Sequence, residues 1–137
     1  MKSCISSLSA LMLLVLLASG CKKDDVDPKD GVVGVWSSSS IVITGCEDEG
    51  DNGTITCDLS CISLRINENE TYVKVDSREE DNIITSEGTA TVSGSDLIFC
   101  ETNANCIRQA FTLDGDNLTI TFSDDDGCST TETYFRS

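Results

Sequence analysis

From Gly31 to Ser137 apolar and polar residues alternate with a period of two, and no stretch carries the spacing of an amphipathic helix. The alternation predicts eight strands, at about 32–44, 60–67, 70–77, 85–93, 96–101, 105–113, 117–123 and 129–136. This region is therefore expected to form an all-β domain.

The second half of the chain allows this pattern to be tested as a register. With Asp114-Gly115-Asp116-Asn117 as a hairpin turn, Leu113 faces Leu118, Thr112 faces Thr119 and Phe111 faces Ile120. Directly opposed residues share a face, which puts Ile107, Phe111, Leu113, Leu118, Ile120 and Phe122 inside and Arg108, Thr112, Thr119 and Thr121 outside. One hairpin earlier, pairing Cys100 with Cys106 sets Phe99 opposite Ile107, again on the interior. The two cysteines then oppose each other on the outer face, where Cα atoms about 4.5–5.5 Å apart are within disulfide reach. A Cys100–Cys106 bridge is expected.

A different pattern governs the N-terminus. Lys2 is followed by an apolar run from Leu8 to Ala18, broken only by Ser9. A spanning helix needs roughly 20 apolar residues, so a run about half that long reads as an export leader, residues 1–20. The run ends Leu17-Ala18-Ser19-Gly20-Cys21, which resembles the lipobox of bacterial lipoproteins, with Ala18 where leucine is usual. That resemblance implies cleavage before Cys21, acylation of Cys21 and a lipid anchor in the outer membrane, on its periplasmic or its surface face. Residues 21–30 contain Lys22-Lys23-Asp24-Asp25 and the only proline, Pro28. Too polar to bury a core, they are expected to form a flexible tether. The lysine–aspartate run is similar to the surface-export signal of Bacteroidota lipoproteins, and a plain solvated linker reads equally well.

Export changes what the cysteines mean. Of eight, Cys4 leaves with the leader and Cys21 takes lipid, so Cys46, Cys57, Cys61, Cys100, Cys106 and Cys128 remain as an even set. In an oxidising compartment they favour disulfides, each stabilising by about 2–4 kcal/mol, which suits a domain of roughly 100 residues with few aromatic side chains. Cys46, Cys57, Cys61 and Cys128 admit three pairings; the preferred ones join Cys128 to the 46–61 loop, tying the last strand to it. Zinc is not expected, because the chain has no histidine and no second tight cysteine pair.

Composition narrows the function. Nine basic against 24 acidic residues give a net charge of −15, one unit more negative once Lys2 is removed, which opposes binding to nucleic acid. Without histidine there is no His-based triad and no ordinary base near neutral pH, so neither enzymatic activity nor a cofactor is expected. The acidic loops 47–53 and 124–127 could offer oxygens to calcium. Neither matches the EF-hand loop, and both read as solvated turns. Three Asn-x-Thr triplets, at Asn52, Asn69 and Asn117, read as coincidence in a bacterial chain.

The domain opens Gly34-Val35-Trp36 with its only tryptophan and closes Thr133-Tyr134-Phe135-Arg136. Around eight meandering strands, this G-x-W and late arginine resemble the lipocalin and calycin group, above all the lipocalin-like domains of Bacteroidota lipoproteins. The resemblance covers 31–137 and implies an eight-stranded antiparallel up-and-down barrel. It implies also that Gly34 lets the chain bend, Trp36 plugs the closed end and Arg136 packs over it. A β-sandwich of the same strands is the alternative. The chain departs from secreted lipocalins in its short length, its many cysteines and the lack of a long C-terminal helix. The function implied is binding of a small hydrophobic or amphipathic ligand against Leu64, Val73, Phe99, Phe111, Ile120 and Phe122. Other lining candidates are Val33, Val35, Ile62, Ile66, Val75, Leu97, Ile107, Leu113 and Leu118. The alternative is a non-enzymatic interaction module with a filled barrel that meets another envelope protein or a glycan through the 46–61 loop.

Overall fold

A computed structural model describes residues 27–58, 60–79 and 81–137. The leader, Cys21 and the tether up to Val26 lie outside the described residues. A short helix α1 (Pro28–Val32) precedes strands β1 (Gly34–Thr44), β2 (Gly53–Thr56), β3 (Ile62–Ile66), β4 (Thr71–Asp76) and β5 (Ile84–Ser93). These are followed by β6 (Asp96–Glu101), β7 (Cys106–Asp114), β8 (Asn117–Ser123) and β9 (Ser129–Arg136). All neighbours pair antiparallel in chain order from β3 to β9, and β1 bonds to both β3 and β9. Eight strands thereby close into an up-and-down barrel, and the sandwich alternative falls.

The C-terminal half follows the register its alternation dictates: Leu113 opposes Leu118, Phe111 opposes Ile120, Phe99 opposes Ile107 and Cys100 opposes Cys106. Cys100 and Cys106 are bonded, as are Cys57 with Cys61 and Cys46 with Cys128. The last of these spans 82 residues of sequence. It ties the β1–β2 loop to the β8–β9 turn, and a bridge that closes so long a loop restricts the unfolded chain most.

Two features of the first strand escape a simple alternation. Between Ser38 and Ser40 the β1–β9 register slips by one residue, so Trp36 and Ser38 point inward below the bulge and Ile41 above it. Above Ser38, β1 has run past the start of β3, and its bare edge is covered by β2, which pairs Ser40–Ile43 with Gly53–Thr56. All four β2 residues are exposed, so this ninth strand carries no core signal in the sequence. It exists to pair an edge.

At the closed end the tether reading needs correction. Pro28, Lys29 and Asp30 belong to α1, where proline suits the first turn and the Asp27 side chain accepts from the Lys29 N–H. The helix lays Gly31 and Val32 over the barrel end, where Val32 joins the buried core with Trp36, Ile66 and Leu118. Trp36 is wholly buried and its Nε1 donates to the Val32 carbonyl at 2.8 Å. Arg136 lies 4.2 Å above the Trp36 ring and donates to the Val33 and Gly31 carbonyls at 2.8 and 2.7 Å. A guanidinium thus satisfies carbonyls that so short a helix leaves unpaired. Gly34 sits beneath it at φ +151°, and a Cβ there would lie 2.4 Å from Arg136 Nη1. Only glycine fits both the conformation and the space.

Candidate functional site

Because the chain runs up and down, successive turns alternate between the two barrel ends. The end away from α1 carries the β1–β2 loop and the β4–β5, β6–β7 and β8–β9 turns. There the barrel is not packed solid: a cavity of about 190 Å³ opens between β3, β4, β5, β6, β7 and β8. An empty apolar cavity of about 150 Å³ suffices for benzene, so this one accommodates a single ring with a short substituent.

The cavity floor is apolar. Leu64, Tyr72, Phe99 and Ile120 form it, with Tyr72 and Phe99 edge to face at 4.9 Å. Ile84 and Ile107 form the lip, both more than half exposed. Of the expected lining residues, Leu64, Phe99 and Ile120 face the cavity, whereas Phe111 is core below it and Phe122 packs against that core. Val73 is a correction, since it opposes Arg65 and Glu87 on the outer face. Val75 lies on the same side, and Val35 is exposed. The reason is register. Leu64 and Ile66, which must face the core, oppose Lys74 and Tyr72, so Tyr72, Lys74 and Asp76 point inward and the β-branched valines stand on the outer surface.

A charged strand face can line the interior because each charge finds a partner. Lys74 donates to both oxygens of Glu132 at 2.9 and 2.8 Å. Glu132, 3% exposed, also accepts the Tyr134 hydroxyl at 2.6 Å. The Lys74 ammonium stands 5.9 Å from the Phe122 ring centroid. Asp76 is clasped by Arg78, with Nε to Oδ1 at 2.9 Å. Burial pushes the Asp76 carboxyl up, and the hydrogen bonds and charge of Arg78 outweigh this to leave it below the usual carboxylate range. Sequence reading missed this whole group; the visible signal was Glu132, an acid at an inward position of the last strand.

Two polar side chains point into the cavity without a protein partner. Gln109 and Tyr72 line it and are only 9% and 3% exposed, yet the Gln109 amide and the Tyr72 hydroxyl make no side-chain hydrogen bond among the described residues. No sealed side-chain polar atom there lacks a partner, so both groups open onto the cavity space. Glu101, at the rim, is exposed and forms no ion pair with a described residue.

Around the mouth the loops are strongly acidic. Glu47, Asp48, Glu49 and Asp51 lie in the first, Glu79 and Asp81 in the second and Asp124, Asp125 and Asp126 in the last. Asp48 and Asp124 are engaged by their own turns, accepting from the Gly50 N–H and from the Asp126 and Cys128 N–H groups. Among the described residues no cluster of three metal-ligating side chains forms.

Both tyrosines of the chain are held above their ordinary value near 10. Tyr134 is raised by burial, then by the charge and hydrogen bond of Glu132, and Tyr72 by burial, then by the charge of Glu101. A raised acid keeps its full contribution to stability below the unfolded value. It loses that contribution as pH climbs from about 10 toward the folded value. Tyrosinate absorbance at 295 nm is therefore expected to stay low past pH 10, with the Tyr134 contribution rising only together with loss of the barrel. Tyr134 titrating at pH 10 in the folded protein would contradict its buried, hydrogen-bonded hydroxyl.

No protein-family model and no curated protein matches the sequence. In shape the chain is similar to a lipocalin-like protein from Bacteroides uniformis ATCC 8492, at TM-score 0.53 over 78% of this chain and 99% of that one. Sequence identity is 9%, so the likeness carries the fold alone: a lipocalin-like β-barrel stapled by disulfides.

Proposed function

We propose that this protein is a lipid-anchored, non-enzymatic binding protein of the bacterial envelope that holds a small amphipathic ligand in the mouth of its barrel. The observation that carries the reading is the cavity, whose apolar floor lies beneath two unpartnered polar groups. Ligand sites combine such surfaces, with apolar contact supplying affinity and a few placed polar groups fixing orientation. At about 190 Å³ the cavity is smaller than the usual range for drug-sized ligands, which limits the occupant to one ring or a short chain. The barrel is filled at its closed end and open at the other, which favours binding over a solid interaction module.

Indole, a small amphipathic probe, is expected to bind saturably, with NMR shifts concentrated at Leu64, Phe99 and Ile120. Ser86→Trp, which places a large ring at an inward cavity position, should weaken that binding at least tenfold without unfolding the protein. Shifts scattered over the surface, or unaltered by Ser86→Trp, would remove the cavity reading.

The anchor rests on the lipobox-like Leu17–Cys21 segment and the even cysteine set it leaves behind. Cells expressing the full chain should incorporate an alkyne-tagged fatty acid into the protein, and Cys21→Ala should abolish the label and release the protein from membranes. A membrane-bound, unlabelled wild-type protein would count against lipidation.

A further inference from the structure

We propose that the ligand of the barrel is a small organic cation, an ammonium group carried on one ring or a short chain; this rests on the cavity reading above and names its ligand class. Five charged side chains meet around the mouth, and they do not cancel. Lys74 is neutralised by both oxygens of Glu132, so it offers no free positive charge to an anion. Asp76 is neutralised by Arg78, the one basic residue in the four segments that form the open end. Glu101, lining the same cavity, is left with an uncompensated carboxylate. The acidic loops beyond it add to the negative field, and a cleft with low-dielectric walls focuses such a field and concentrates counter-ions of the opposite sign.

Charge alone selects no ligand, and two further groups supply the rest. Gln109, a nine-tenths buried residue, aims its amide, unpartnered among the described residues, into the cavity with an acceptor oxygen for an N–H. The Tyr72 hydroxyl, likewise unpartnered, offers a second oxygen. A primary ammonium carries only donors, and these groups, with Glu101, present acceptors. The rings of Tyr72 and Phe99 offer π faces and edges to an apolar body, and an aromatic face is also attractive to a cation. A carboxylate ligand would meet the opposite arrangement, with its charge beside Glu101 and no unpaired cation among the described residues that line the cavity.

Three probes sharing one phenyl ring separate the terms: 2-phenylethylammonium, 2-phenylethanol and 3-phenylpropionate, titrated calorimetrically into the purified protein at low salt. The ammonium is expected to bind at least tenfold more tightly than the alcohol, and the propionate more weakly than either. Glu101→Gln, at an exposed position, should weaken the ammonium about tenfold and leave the alcohol within twofold. Gln109→Leu should weaken both, with unchanged melting temperature confirming that the barrel is intact. Alcohol or propionate binding as tightly as the ammonium, or an ammonium indifferent to Glu101→Gln, would overturn the cationic assignment and leave the cavity reading standing. Failure of all three probes to bind would remove both.

Discussion

Trp36→Ala is expected to lower unfolding stability by about 5 kcal/mol. Truncating a buried tryptophan typically costs about 3–5 kcal/mol, because the lost transfer energy is joined by the cavity that remains. Trp36 is fully buried and does more than fill space. Its Nε1 holds the Val32 carbonyl, and its ring is the surface on which Arg136 lies. Without the ring the guanidinium loses its cation–π partner, and α1 loses the side chain that pins it to the barrel. For a domain near 100 residues, 5 kcal/mol corresponds to a fall in melting temperature of roughly 20 °C or more. Urea denaturation provides the check; a loss under 2 kcal/mol would mean that the closed end contributes little. Trp36→Phe keeps the ring and loses the hydrogen bond, and should fall between the two.

Glu132→Ala should cost about 4 kcal/mol for a different reason. Breaking a buried ion pair by removing one partner leaves the other charge uncompensated, at about 3–5 kcal/mol, whereas replacing both by apolar residues of similar volume is often neutral or stabilising. Here the survivor would be the Lys74 ammonium, whose side chain is 24% exposed, along with the Tyr134 hydroxyl that donates to Glu132. The combined Lys74→Met, Glu132→Leu, Tyr134→Phe variant should therefore recover to within about 1 kcal/mol of the parent. If Glu132→Ala cost less than 1 kcal/mol, water would already be screening the pair. A combined variant as unstable as Glu132→Ala would show that the polar group specifies the barrel's shape rather than merely compensating itself.

That polar group also marks where sequence reading stopped. Strands β6 and β8 bury apolar side chains at alternate positions and Phe111 of β7 keeps step with them, so Phe99, Phe111, Leu118 and Ile120 gave the register directly, and with it the Cys100–Cys106 bridge. In β4 the pattern inverts. Val73 and Val75 look like the core face, yet Lys74 and Asp76 take it because Glu132 and Arg78, distant in sequence or set beyond the strand end, neutralise them. Period-two reasoning assumes a uniformly apolar interior, and a barrel that keeps charge inside for a cavity violates it where the cavity lies. Helix α1 was hidden for a related reason. Five residues show no helical period, and this helix is held by Trp36 and Arg136 rather than by its own sequence. The G-x-W and the late arginine did locate the closed end, though not the carbonyls that Arg136 would serve.

The position of α1 sets the direction in which the molecule would face. The chain enters at the plugged end, and the cavity lies at the other. On a lipidated Cys21, five residues would separate the anchor from Asp27, which caps α1, a leash of about 20 Å fully extended. The bilayer would then hold the barrel by its base, with the entrance turned outward. Cargo would be loaded and surrendered on the aqueous side, so exchange would follow the concentration of dissolved ligand rather than its partition into the anchoring membrane.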